Sequence, residues 1–178
     1  MRFERAVAVL AGLGLAASGL PLVPRDDAWA IALTSPPFVM GAIVAMVAAR
    51  PASSWLGLSD FVMMVVTAVY AVLSLTLIVY LVPSALVMFL ATGYFTIVRS
   101  GAYGERAPRI VMANGAVWST VFVLLREVAD VASVELALIC SVVMTVAGFA
   151  WWRATVRERV ERNGPPLARV TRHGNDDA

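Results

Sequence analysis

Apolar and polar positions along this chain come in blocks, and the longest block sets the register for the others. From Phe61 to Val98 there is no Asp, Glu, Lys, Arg or His, a run of 38 residues bounded by Asp60 and Arg99. One straight helix of that length would measure about 57 Å, nearly twice the ~30 Å hydrocarbon core of a bilayer. The block therefore predicts two spans joined by a turn. Pro83, in Tyr80-Leu81-Val82-Pro83-Ser84, marks that turn, because proline suits the first turn of a new helix and disrupts one already running. Spans are expected over residues 61–81 and 83–98, with Asp60 and Arg99 returning to the same end.

The other blocks follow in order. Met1-Arg2-Phe3-Glu4-Arg5 opens an apolar segment over residues 6–23. Ala16-Ala17-Ser18 could serve as a signal-peptide cleavage site, but the apolar run continues past it to spanning length, which favours a retained anchor. A short polar turn, Pro24-Arg25-Asp26-Asp27, leads to a second span over 28–49. Residues 50–60 read as an interfacial loop, with Trp55, Leu56 and Leu58 available to the headgroup region, and 99–109 as a polar loop. A fifth span is expected over 110–125 and a sixth over 134–152. Beyond Arg153, Arg157/Glu161 and Glu158/Arg162 fall at i,i+4, which predicts a short helix extending to the membrane surface and water. Asn163-Gly164-Pro165-Pro166 ends it, and the remaining residues are expected to be disordered. The fold class expected is thus all-α: a polytopic bundle of six transmembrane helices over residues 1–152, with a tail over 153–178.

The second span contains the oddest local feature. Pro36 and Pro37 supply no N–H, so the carbonyls of Ala32 and Leu33 lose their usual helical donors. The span is expected to be kinked there, or to consist of a short outer segment followed by an inner helix. Interrupted spans expose backbone groups that bind ligands at depth, which makes Thr34, Ser35, Pro36 and Pro37 candidate binding residues. A packed kink satisfied by Ser35 and water is the alternative.

Composition agrees with the blocks. The chain is 60% hydrophobic and 15% charged, with a mean hydropathy of +0.81, whereas soluble domains average about half apolar and a quarter charged. All fourteen basic residues are Arg, so no lysine is present for Schiff-base chemistry. An all-Arg, Ala- and Val-rich composition points to GC-rich coding and a prokaryotic cell membrane. Twelve of the fourteen arginines fall on the side of the N-terminus in a six-span layout, and the positive-inside rule places both termini in the cytoplasm. A net charge of +2 gives no basis for a nucleic-acid partner. The single Cys140 and the single His173 exclude an internal disulfide and leave no His/Cys metal set.

No phosphate-binding glycine loop, nucleophile elbow, zinc pair or mid-span charge occurs, so neither a catalytic residue nor a cofactor is expected. The outer side collects Asp26, Asp27, Glu127, Asp130 and Glu135. These read either as a cation-attracting mouth or as solvated loop and helix-start residues. Within the spans, Thr67, Tyr70 and Ser74 share a helix face, Asn114, Trp118, Ser119 and Thr120 lie on the fifth span, and Ser141 and Thr145 on the sixth. Of these, Tyr70, Ser74, Asn114 and Trp118 are the candidate solute-binding residues. Helix-to-helix hydrogen bonding and packing are the alternative. Ala8, Gly12 and Ala16 repeat every four residues and let helix backbones approach closely, either within the chain or against another membrane protein or a second copy. In size and span number the chain resembles the substrate-binding subunits of energy-coupling-factor vitamin transporters, which implies a small-solute binder. The function expected is a non-catalytic component binding or transporting a small uncharged solute. An accessory subunit docking through the first helix is the alternative, and the bilayer is the partner common to both.

Overall fold

A computed structural model describes residues 2–19, 28–49, 54–76, 80–129 and 131–163, and gives no account of the side chains of residues 2, 19, 28–36, 54, 55, 76 and 163. The described residues are helical apart from short turns and contain no strand. The helices are α1 (Arg2–Gly19), α2 (Ala28–Ala49), α3 (Ser54–Thr76), α4 (Leu81–Val98), the single turn α5 (Ser100–Tyr103), α6 (Ala107–Arg126) and α7 (Ala132–Asn163). A 3-10 turn, Gly104–Arg106, links α5 to α6. The stretches 56–75, 81–98, 100–126 and 132–162 are long and apolar enough to cross a membrane. Outward-facing Leu13, Met46, Met64, Val72, Leu75, Leu136 and Val143 are exposed, and in a bilayer these side chains meet lipid rather than water.

Several boundaries differ from the sequence expectation, each for a physical reason. Helix α3 begins at Ser54, not after Asp60. Leu56 and Leu58 therefore lie in its first turns rather than in a loop. Asp60 is tolerated inside the helix because α4 supplies partners for its carboxylate. The 99–109 segment is largely helical, with Gly104 at φ 53° making the reversal between α5 and the 3-10 turn. Such a conformation costs glycine little and other residues more. Pro108 is the second residue of α6, inside its first turn, where its missing N–H costs nothing. Pro83 sits likewise in the first turn of α4. Helix α7 runs on through Arg153 to Asn163, so its charged end continues the span and does not form a separate surface helix. The expected i,i+4 pairs form there, Arg157–Glu161 at 2.9 Å and Arg162–Glu158 at 3.9 Å.

Helix α2 is continuous from Ala28 to Ala49. Of the two outcomes expected at Pro36–Pro37, a kink or a division into two segments, the division is not found, since a spanning helix can carry prolines where it adjusts locally. The turn at Pro24–Asp27, the end of the first span after Gly19, Asp130 and the tail from Gly164 lie outside the described residues.

Helix α4 is the centre of the bundle. It is 56% buried, against 22% for the spans of α3 and α7. Two cores form on its two faces. Val87, Ala91, Tyr94 and Val98 pack with Leu15, Val44, Met63 and Tyr70 of α1, α2 and α3. Ala85, Leu86 and Phe89 pack with Phe122 and Leu125 of α6 and Val134 and Ala137 of α7.

Close approaches of small residues lock the antiparallel pairs. A Cβ placed on Gly12 would lie 2.5 Å from the Ala45 nitrogen and 2.8 Å from the Gly41 oxygen, and one on Gly41 would strike the backbone of Ala16. Ala8 and Ala16 are buried on the same face. The Ala8/Gly12/Ala16 stripe is therefore used within the chain, against α2. A matching contact joins α6 to α7, where a Cβ on Gly115 would meet the Thr145 nitrogen at 2.7 Å and one on Gly148 the Met112 nitrogen at 2.6 Å. Backbone approach of this kind supplies dispersion energy where no hydrophobic drive separates helix from lipid.

Candidate functional site

The candidate binding residues separate onto the two faces of α4. On one side, Tyr70 is 2% exposed in the α1–α4 core. The Ser84 hydroxyl donates to the Tyr70 carbonyl at 2.9 Å, tying α4 to α3 just after the helix start. Ser74 donates back to the Ala71 carbonyl in its own helix. Opposite, the Trp118 indole N–H donates to Thr92 Oγ1 at 2.8 Å. Its ring lies among Phe89 and Phe122, with centroids 5.9 and 5.6 Å away. Asn114 reaches the sulfur of Met144 at 3.9 Å, and Ser119 pairs with the fully buried Ser141 at 2.9 Å. Each of these groups is engaged between helices or along its own helix, so the two sets do not converge on one solute site. Pro37 is buried. The side chains of Thr34, Ser35 and Pro36 lie outside the described residues.

Of the five acidic residues expected on the outer side, only Glu127 and Glu135 lie among the described residues. Glu135 pairs with Arg126 at 3.2 Å across the α6–α7 connection, while Asp26, Asp27 and Asp130 lie outside the described residues. Among the described residues no three His, Cys, Asp or Glu side chains gather as metal ligands.

The space that could receive a guest lies elsewhere, along the seam where α1 and α7 flank α4. A cavity of about 400 Å³ is lined by Gly14, Ala17 and Ser18 of α1 and by Leu86, Phe89 and Leu90 of α4. Its third wall is α7, through Ser133, Leu136, Ala137 and Cys140. On α1 and α4 these are positions i, i+3 and i+4, and on α7 i, i+3, i+4 and i+7, one face of each. None of the lining side chains is charged. Leu136 and Cys140 are exposed, so the cavity opens sideways toward the lipid-facing surface. Ser18 spends its proton on the Leu15 carbonyl at 2.7 Å and presents oxygen lone pairs. At about 400 Å³ the cavity falls within the roughly 300–1,000 Å³ of small-molecule clefts, which are mostly apolar with a few polar groups. Sequence reasoning missed these residues. The small positions Gly14, Ala17 and Ser18 share a visible face, but nothing local shows that it meets α7 across α4.

The same seam holds a second cavity of about 300 Å³ at the other end of the bundle, between Phe3, Ile97, Val111, Gly148 and Trp151. The start of α1 and the last apolar turns of α7 thus lie at one end. No protein-family model, no curated protein and no solved structure matches this chain.

Proposed function

We propose that this chain is a non-catalytic, multi-pass protein of a prokaryotic cell membrane that binds a small uncharged guest in the cavity between α1, α4 and α7. The observation that carries the reading is that cavity itself: uncharged, about 400 Å³, and open toward the bilayer. A guest would enter from the lipid phase, because a charged or strongly hydrated molecule would lose its solvation there without replacement. The membrane layout in this proposal has six crossings and both termini in the cytoplasm. It is supported by the antiparallel succession of helices and by the arginine asymmetry. Docking of another membrane protein through the first helix has lost its motive, since α2 already covers the small-residue face.

Cys140 is the only cysteine and lines the cavity, which makes it a built-in reporter. Alkylation of Cys140 by an apolar maleimide should slow when the purified protein is supplied with uncharged lipophilic molecules extracted from its host membrane. Gly14→Leu, whose side chain would grow toward Leu90, should fill the space and remove the protection. Alkylation unchanged by every extracted fraction would overturn the proposal.

A further inference from the structure

We infer that the face of α7 around Trp152 is a binding site for an anionic phospholipid, separate from the uncharged cavity. Phe149, Trp152, Arg153, Val156 and Arg157 stand at i, i+3, i+4, i+7 and i+8, so they share one helix face. Together they border a recess of about 420 Å³. Its floor is apolar: Phe149 packs on Trp152 with ring centroids 5.9 Å apart. Its rim is cationic, and α6 adds a third guanidinium, with Arg109 Cζ 5.9 Å from the centre of the Trp152 ring. Arg157 is engaged by Glu161. Arg109 and Arg153 have no carboxylate within ion-pair distance among the described residues.

The position identifies the occupant. Trp152 is the last residue of the apolar run and Arg153 the first of the charged end, so the recess sits at the water–hydrocarbon boundary, where tryptophan and arginine anchor membrane proteins. An acyl chain can lie against Phe149 and Trp152 while a phosphate reaches Arg109 and Arg153. A free phosphate would leave the apolar floor uncovered, and an acidic peptide arriving from water would not reach Phe149. Trp152 Nε1 is buried and has no acceptor among the described residues. A headgroup oxygen drawing Arg109 off the ring would supply one.

The test uses the full chain in a non-ionic detergent, with phosphatidylglycerol and phosphatidylcholine of identical acyl chains as probes and native mass spectrometry as the readout. Phosphatidylglycerol should remain bound about tenfold more than phosphatidylcholine, since each arginine near an anionic headgroup contributes appreciably. R109Q/R153Q should erase that preference, R109K/R153K should keep most of it, and Arg126→Gln at the other end of α6 should leave it unchanged. Equal retention of both lipids, or a preference that survives R109Q/R153Q, would overturn the inference, as would displacement by inorganic phosphate alone. If the glutamine variant does not fold, the wild-type protein still decides the matter. Added salt should release phosphatidylglycerol, and a preference indifferent to salt would sink the inference.

Discussion

Tyr94 donates its phenolic proton to Asp60 Oδ1 at 2.7 Å, joining the last turns of α4 to the first turns of α3. With that proton committed, Ser59 is the donor in its 2.7 Å contact with Tyr94 Oη, sharing its hydrogen with the Leu56 carbonyl at 2.9 Å. Arg99 completes the set with an ion pair to Asp60. A carboxylate thus sits inside a membrane helix with its charge answered by the neighbouring helix. Tyr94→Phe should lower stability by about 1.5–3 kcal/mol, the range for a hydrogen bond to a charged group. In thermal unfolding in mild detergent, combining it with Asp60→Asn should cost less than the sum of the two single changes.

Glycine substitutions should divide by position. Gly12→Ala puts its new carbon 2.5 Å from the Ala45 backbone, where no side chain can move aside, so α1 and α2 must separate. The expected cost is about 1–3 kcal/mol, the range for an overpacked core. Gly93→Ala meets nothing within 4 Å and should be neutral or stabilising by up to about 1 kcal/mol through helix propensity. Equal melting temperatures for the two variants would contradict the α1–α2 contact.

Trp118→Phe removes the donor to Thr92 and keeps an aromatic ring between Phe89 and Phe122. A loss of about 0.5–1.5 kcal/mol is expected, the net value of one neutral hydrogen bond. Were Trp118 a ligand platform, guest binding would change more than stability does. Cys140 protection measured on the same variant separates the two.

The proposed orientation is open to labelling in intact cells on a Cys140→Ser background. Gly104 is unsuitable for a cysteine because its φ is positive, but the neighbouring Glu105 is exposed. Glu105→Cys should resist an impermeant thiol reagent, and Val128→Cys, on the α6–α7 connection, should react. The reverse result would refute cytoplasmic termini.

The end of α7 should contribute little to stability. Arg159 reaches Glu105 at 2.6 Å with both side chains largely exposed, and exposed pairs are worth about 0–1 kcal/mol. Arg159→Ala, and removal of Pro165–Ala178, should each leave the melting temperature within about 4 °C, given that 1 kcal/mol shifts a chain of this size by about 2–4 °C. A larger drop for the truncation would show that the tail packs on the bundle.

What the sequence determined by itself was whatever depends on local chemistry. The apolar blocks, the return of Asp60 and Arg99 to one end, Pro83 in a first turn and the i,i+4 pairs of α7 follow from the cost of burying charge and from helix periodicity. The small-residue stripe Ala8/Gly12/Ala16 was legible too. Its counterpart in Gly115 and Gly148 was equally present as small residues on helical faces, with Ser119 one turn on from the first and Ser141 and Thr145 preceding the second. The boundary near Asp60 was misplaced because a charge reads as a helix end until its partners are known, and Tyr94 lies 34 residues away. Pro36 and Pro37 predicted a kink or a division, and of the two α2 does not make the division, since helix continuity there depends on local adjustment and neighbouring packing. The candidate set Tyr70, Ser74, Asn114 and Trp118 was split by α4, whose two faces no periodicity argument could assign. The cavity beside Cys140 exists only because α1 and α7 flank the same helix. Such spaces come from the relative placement of rigid helices, a non-local quantity set by side-chain contacts between elements far apart in the chain.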